Sequence, residues 1–172
     1  EDLSAIYDTI GSLWNQFKDK RIFISGGTGF IGKWLLGSLL HADEKLGLNC
    51  QIMILSRQPF EFIKNNPCLE KYSNIDFCSG DIKDFDYPQN SFDYIVHAAT
   101  DVSHPDSSLN TFDTCVQGTR RILEFAKQCK AQKFLLVSSG AVYGQLTDLK
   151  LISESDNGII DILDPHTAYA HG

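Results

Sequence analysis

The stretch S-G-G-T-G-F-I-G, residues 25–32, follows a short apolar run and precedes a helical pattern of apolar residues. Its glycines Gly26, Gly29 and Gly32 are spaced three residues apart, and glycine adopts at little cost the backbone angles that a tight turn needs. Without Cβ atoms, the turn lets an anion approach the main chain and the free N–H groups at the start of the helix. A strand, a glycine turn and a helix in this order predict a site for the diphosphate of a dinucleotide.

Around this turn, short apolar runs alternate with helical patterns along the chain. Such alternation is typical of a parallel sheet that is covered by helices on both faces. We therefore expect an α/β fold with a doubly wound parallel sheet (a Rossmann fold), helices on both faces and an extra N-terminal helix packed outside the main fold. Strands are predicted over 21–25, 51–56, 75–78, 93–97 and 133–139, helices over 3–18, 30–42, part of 60–72 and 107–130, and a surface loop over 145–164.

The composition restricts the classes of partner. The chain has 172 residues and a net charge of −7, and its lysines and arginines form no cluster, so a nucleic-acid or anionic membrane surface is not expected. No apolar run reaches the roughly 18–20 residues of a membrane span, and no basic segment followed by an apolar one marks a secretory signal. The five cysteines have no metal-ligand spacing, so no metal site is predicted and reduced thiols in a cytoplasmic protein are expected.

The second predicted strand ends at Ser56-Arg57, the position at which dinucleotide sites distinguish between cofactors. An acidic residue there binds the ribose 2′-OH of NAD(H), whereas an arginine accommodates the 2′-phosphate of NADP(H). The acid is missing and Arg57 is present, with Ser56 able to add a hydrogen bond, so NADP(H) is favoured. NAD(H) stays open, because Arg57 could instead lie over the adenine or face solvent.

Five further motifs follow the glycine turn in order along the chain: G-D-I at 80–82, H-A-A at 97–99, V-Q-G-T-R-R-I-L-E-F-A at 116–126, S-S-G-A-V-Y-G at 138–144 and T-A-Y-A-H-G at 167–172. Together with the turn, they resemble the extended short-chain dehydrogenase/reductase family, the NAD(P)-dependent nucleotide-sugar epimerases and dehydratases. The resemblance implies Ser139 and Tyr169 as catalytic residues. It implies cofactor contacts from Gly26, Gly29, Phe30, Ile31, Gly32, Ser56, Arg57, Asp81, Ile82, His97, Ala98 and Ala99.

By this resemblance, Tyr169 is the acid/base for a sugar hydroxyl, and Ser139 hydrogen-bonds the same substrate oxygen. A phenol in water ionises near pH 10, so a neighbouring ammonium is needed to favour the phenolate. The lysine of the family's Tyr-x-x-x-Lys motif would follow Gly172 immediately. We therefore expect residues 1–20 to form an N-terminal helix and residues 21–172 an NAD(P)-binding domain. The C-terminal substrate-binding portion is expected to be absent, and this fragment to be inactive.

Two departures from the family pattern bear on the reaction. Cys115 stands where the family usually has an asparagine that helps to shape the site, so that role is in doubt here. Gly140 and Ala141 stand where the 4,6-dehydratases carry an Asp-Glu pair, and neither can supply the general acid that loss of water requires. An epimerase or 4-keto-reductase of a nucleotide-linked sugar is therefore favoured over a dehydratase. Asp101, Val102 and Ser103 are expected to contact the substrate.

Two other functions stay open. The chain could be a non-catalytic protein that senses NADP(H) through the same turn and regulates a partner, or a reductase of a non-sugar carbonyl, because a fold alone does not fix the substrate. Retention of both Ser139 and Tyr169 favours an enzyme. Besides a small-molecule substrate, the expected partner is a second copy of the chain, contacting through the long helix near 107–130 and the helix that carries the tyrosine.

Overall fold

Five parallel strands form one sheet in the residues that the computed structural model describes, which are 1–100, 108–145, 151–156 and 158–172. The strands are β1 (Arg21–Ser25), β2 (Gln51–Ser56), β3 (Ile75–Ser79), β4 (Tyr94–His97) and β5 (Lys133–Leu136). Their order is β3-β2-β1-β4-β5, so the chain winds outward from β1 on one side and then crosses to its other side. Ser25 at the end of β1 lies opposite Leu55 of β2 and His97 of β4.

Helices connect the strands and cover the sheet. The helix after β1 continues to Leu46, beyond the predicted end at Ala42, and stops at Gly47, whose φ of +60° is a left-handed conformation that favours glycine. The α-helices are α1 (Asp2–Ile10), α2 (Phe30–Leu46), α3 (Pro59–Asn65), α4 (Ser108–Cys129) and α5 (Ala168–His171). Shorter 3₁₀ helices cover Gly11–Phe17, Pro67–Lys71, Gly140–Tyr143 and Pro165–Thr167.

Each face of the sheet carries its own hydrophobic cluster. Ile22 and Ile24 of β1 pack with side chains of β2 and α2, whereas Phe23 between them packs with side chains of α4. This division follows from the two-residue period of a strand, and burial on both faces explains why β1 is apolar at successive positions. The predicted α/β fold, a doubly wound parallel sheet with helices on both faces, is therefore confirmed.

The N-terminal segment differs from the single helix predicted over 3–18. That prediction is wrong beyond Ile10, because Gly11 takes a φ of +56° and the chain continues as a 3₁₀ helix. Within it, Trp14 is only 3% exposed and belongs to the cluster of β1, β2 and α2. Its indole N–H donates a hydrogen bond to the carbonyl of Tyr7 at 3.1 Å. The predicted N-terminal helix is therefore present as α1, and the 3₁₀ segment after it contributes Trp14 to the core.

The later part of the chain also departs from the predictions. β5 ends at Leu136 rather than at Ser139. The predicted loop over 145–164 contains an antiparallel bridge between Gln145 and Ile159. Residues 101–103, predicted to contact the substrate, lie outside the described residues. In the structure, none of the five cysteines is joined to another by a disulfide. Among the described helices, none is long and apolar enough to cross a membrane.

Candidate cofactor-binding and active site

The glycine turn packs tightly against the end of β4. Gly26 has a φ of +73°, and a Cβ atom on it would lie 2.5 Å from the carbonyl carbon of Ala98. A Cβ atom on Gly32 would overlap the carbonyl oxygen of Gly26. The amide of Gly29 closes the turn by donating to that same oxygen at 3.0 Å. Residues larger than glycine therefore do not fit at these two positions. The turn leads into α2 at the point where the strand order reverses, between β1 and β4.

A cleft of about 240 Å³ opens beside this turn, at the carboxyl ends of the strands. Ligands of open α/β sheets bind at this kind of position. Eight of the predicted cofactor residues line the cleft: Gly26, Gly29, Ser56, Arg57, Asp81, Ile82, Ala98 and Ala99. The sequence predictions missed seven others: Thr28, Leu55, Gly80, Lys83, Thr100, Asn110 and Thr114. No simple spacing connects the last two to the turn, since they lie on α4 and reach the cleft only through tertiary packing.

Four predicted cofactor residues are not among those that line the cleft. The side chain of Phe30 is 81% exposed, and Ile31 is also exposed. Gly32 is buried inside the turn, where it allows the close approach to Gly26. His97 lies beneath the cleft rather than in its wall. The side chains of Phe30 and Ile31 therefore face solvent. Their backbone amides lie at the start of α2, where the first N–H groups of a helix have no intrahelical partner and can bind an anion.

At the adenine end predicted from sequence, Asp81 begins a local turn. Its Oδ1 accepts the backbone N–H of Lys83 at 3.0 Å, which is the geometry of an Asx turn. The ammonium of Lys83 then donates to Oδ1 of Asn110 on α4 at 2.9 Å. This contact ties the loop after β3 to α4 across the wall of the cleft.

His97 joins the two central strands to α4. Its Nδ1 is 2.7 Å from Oγ of Ser25, and its Nε2 is 3.2 Å from Oγ1 of Thr119. The same Ser25 oxygen accepts the N–H of Ala99 at 3.4 Å. The ring is 2% exposed, and burial lowers its pKa to about 4. At neutral pH, His97 is therefore an uncharged ring that hydrogen-bonds two hydroxyl groups below the cleft.

Ser139 and Tyr169 line a second cavity, of about 100 Å³, together with His97, Cys115 and Thr119. This cavity shares Ala99 and Thr100 with the cofactor cleft, so the two spaces meet at the residues after β4. Ser139 precedes a 3₁₀ helix, and its Oγ accepts the N–H of Ala141 at 3.2 Å, which leaves its own hydroxyl hydrogen for another acceptor. Tyr169 is carried by α5 and is half-buried.

Cys115 of α4 lies in the wall of this second cavity. Its Sγ is 3.7 Å from Oγ1 of Thr100, and its Cβ is 2.6 Å from the position that a Cβ atom on Gly172 would take. The thiol thus occupies the place where an asparagine was expected from the resemblance, and the absence of a side chain at Gly172 lets α5 approach α4 closely.

Comparison with known proteins identifies the family. The model of the NAD dependent epimerase/dehydratase family matches residues 22–172. The chain belongs to this family. The match confirms the resemblance to the extended short-chain dehydrogenase/reductases, whose strand, turn and helix at the cofactor site are those found here.

Two curated relatives of this epimerase/dehydratase family member and one solved structure illustrate the likeness. The chain is 31% identical over 148 residues to a dTDP-D-glucose 4,6-dehydratase of Dictyostelium discoideum, covering 80% of the chain and 32% of the relative. It is 30% identical over 140 residues to a UDP-glucose 4-epimerase of Rickettsia felis, covering 74% and 39%. The structure of a UDP-glucuronic acid 4-epimerase from Bacillus cereus in complex with NAD covers 88% of the chain and is itself covered to 49%, with a TM-score of 0.69 and 24% identity. The chain thus spans a third to a half of these proteins, and the last likeness shows the fold.

Proposed function

We propose that residues 21–172 are the NAD(P)-binding domain of an enzyme that epimerises or reduces a nucleotide-linked sugar, with residues 1–20 as its N-terminal helical segment. The main support for this proposal is the cleft beside the glycine turn. Gly26 and Gly32 have no room for a side chain, and their lack of one lets a diphosphate approach the backbone there. The nucleotide sugars in the names of the Dictyostelium and Rickettsia relatives support the substrate class.

The residues of the cleft fit a dinucleotide part by part. The start of α2 would hold the diphosphate, Asp81 and Ile82 the adenine, and Ser56 and Arg57 the adenine ribose. Ala98 and Ala99 would lie along the cofactor, above His97. When bound, the nicotinamide accepts and returns a hydride. We favour NADP(H) because Arg57 stands where an NAD site would have an acid, although the Bacillus epimerase was solved with NAD.

In this proposal, Ser139 and Tyr169 handle the proton of the substrate hydroxyl. Tyr169 takes it up at Oη when the sugar is oxidised and returns it on reduction, while Ser139 donates its hydroxyl hydrogen to the same substrate oxygen. Their position in one cavity that opens to the cofactor cleft supports these roles. Gly140 and Ala141 carry no proton donor, which favours an epimerase or 4-keto-reductase over the dehydratase activity named for the Dictyostelium relative.

Alanine at Gly32 tests the cofactor site. Because its Cβ would overlap the carbonyl oxygen of Gly26, we expect the Kd of the purified protein for NADH and NADPH to rise at least about tenfold, measured by nicotinamide fluorescence. Gly37→Ala on the same helix is the matched control, because its Cβ would meet a Leu3 methyl at an ordinary 3.5 Å.

Circular dichroism separates lost binding from lost folding. If Gly32→Ala does not fold, Gly29→Ala replaces it, since a Cβ there lies 3.3 Å from the same oxygen and the turn can relax. A wild-type protein that binds neither dinucleotide at millimolar concentration would overturn the proposed function.

A further inference from the structure

A third cavity, of about 560 Å³, adjoins the cofactor cleft on the side away from Ser139 and Tyr169. The two spaces share Thr28, Ser56 and Arg57, so a ligand group attached to the adenine ribose can extend from one into the other. The remaining wall of this third cavity comes from α2, the turn after β2, and α3 with the residue after it: Lys33, Gln58, Glu61, Phe62, Asn65 and Asn66. None of these six was predicted from the sequence as a cofactor residue.

Lys33 lines this cavity, and its ammonium group lies near Phe62 in the same wall. Its backbone N–H donates to the carbonyl of Gly29 at 2.9 Å, which places the residue in the first turns of α2. Its Nζ lies 5.8 Å from the centre of the Phe62 ring on α3, so the side chain extends from α2 toward α3. The ring attracts the cation weakly and keeps it on this side of α2.

The opposite edge of the cavity is formed by the end of β2. Ser56 is buried, and its Oγ accepts the N–H of Gln58 at 3.2 Å, which fixes the turn and leaves the hydroxyl hydrogen for another acceptor. Arg57 follows and is exposed. A cation from α2 and a cation from the turn after β2 thus flank one space, with hydroxyl groups of Thr28 and Ser56 in the same wall.

We infer that Lys33 is a second cation for the 2′-phosphate of NADP(H), acting together with Arg57. The inference rests on the proposed function, because it needs the dinucleotide in the adjoining cleft. A phosphate monoester carries nearly two negative charges near neutral pH, which matches one lysine and one arginine better than either alone. Lys33 lies on a different element from the residue whose position predicted the cofactor, and only the shared cavity brings the two together.

Glu61 opposes the two cations in the same cavity. It lies in the first turn of α3, and a carboxylate there repels a phosphate. The inference therefore also predicts the opposite effect for Glu61. Glu61→Gln should lower the Kd of NADPH and leave that of NADH unchanged.

The experiment compares the Kd values of NADPH and NADH for the purified protein by fluorescence titration. Lys33→Gln is expected to raise the Kd of NADPH roughly five- to tenfold and to change that of NADH less than about twofold. Lys33→Arg keeps the cation and should keep the wild-type preference. Lys64→Gln is the matched control, because this substitution on α3 removes the same charge from a residue that does not line the cavity.

Adenosine bisphosphates test the position of the phosphate. 2′,5′-ADP should displace NADPH from the wild type and do so less well from Lys33→Gln, whereas 3′,5′-ADP and inorganic phosphate should compete weakly with both. A Lys33→Gln variant that weakens NADPH and NADH equally, or neither, overturns the inference. So does a wild type that binds NADH more tightly than NADPH. A wild type that binds no dinucleotide overturns the proposed function instead.

Discussion

At the scale of single residues, His97 sets how stability depends on pH. The folded protein keeps its pKa near 4 by burial, whereas an imidazole in an unfolded chain titrates near 6.5. Between these values the unfolded chain binds a proton that the folded one does not. This group therefore makes the free energy of unfolding fall as the pH is lowered from about 6.5 toward 4, by at most about 1.4 kcal/mol per pH unit.

Urea unfolding at several pH values between 7.5 and 4.5 checks this prediction in a His97→Asn variant. Asparagine can still hydrogen-bond Ser25 but loses Thr119 and the ring, so we expect a loss of about 1–3 kcal/mol at neutral pH and a shallower fall in acid. His166→Asn, which removes an exposed histidine, is the control and should follow the wild type. Parallel pH profiles for wild type and His97→Asn would contradict a lowered pKa of His97 in the folded protein, because they require the same pKa in the folded and unfolded states.

The same scale shows which site residues a sequence can predict. Gly26, Gly29, Ser56 and Asp81 lie at the end of a strand or within four residues after it. Because the carboxyl ends of parallel strands meet at one edge, chain order alone brings these residues to the cleft. Lys33 does not follow a strand, and neither do Asn110 and Thr114. They reach the site because of how α2 and α4 are rotated on the sheet, which depends on packing across the whole core.

At the scale of elements, the 3₁₀ helix Gly11–Phe17 attaches the N-terminal segment to the core. Trp14 fills the cluster between β1 and α2, and the deletion of so large a buried side chain leaves a cavity. We expect Trp14→Ala to lower the free energy of unfolding by about 3–5 kcal/mol in urea denaturation.

The neighbouring residue provides the control. Leu13 is 58% exposed, so Leu13→Ala should change stability by less than about 0.5 kcal/mol. Equal and small effects of the two substitutions would mean that the segment is a loose appendage. The apolar spacing over 3–18 predicted that this region is helical and packed, but the break at Gly11 depends on a positive φ that the pattern of apolar residues does not report.

At the scale of the whole molecule, the proposed cofactor cleft lies between both halves of the sheet. A ligand in the cleft contacts the ends of β1, β2 and β4 together, and it stabilises only the folded chain. At one hundred times its Kd, a dinucleotide should raise the free energy of unfolding by about 2.7 kcal/mol, or roughly 5–10 °C in Tm for a chain of this size. Differential scanning fluorimetry measures this shift, and a tenfold higher Kd in Gly32→Ala should reduce it to about half at the same dinucleotide concentration.

A Tm that does not change with dinucleotide concentration would contradict a site on the folded chain.

The fold itself could be predicted almost completely, because parallel strands buried on both faces leave continuous apolar runs that few other structures produce. The ends of elements were harder. β5 stops at Leu136 although Val137 is apolar, since hydrophobicity does not mark where pairing with β4 ends.

The central place of β1 has a consequence for synthesis on the ribosome. His97, which bonds the hydroxyl of Ser25, is synthesised 72 residues after it. Until β4 has been made, the second edge of β1 has no neighbouring strand. At about 5–20 residues per second, that interval lasts several seconds, during which this apolar strand has one edge without a neighbouring strand. The nascent chain is therefore most vulnerable to misassembly between the emergence of β1 and that of β4.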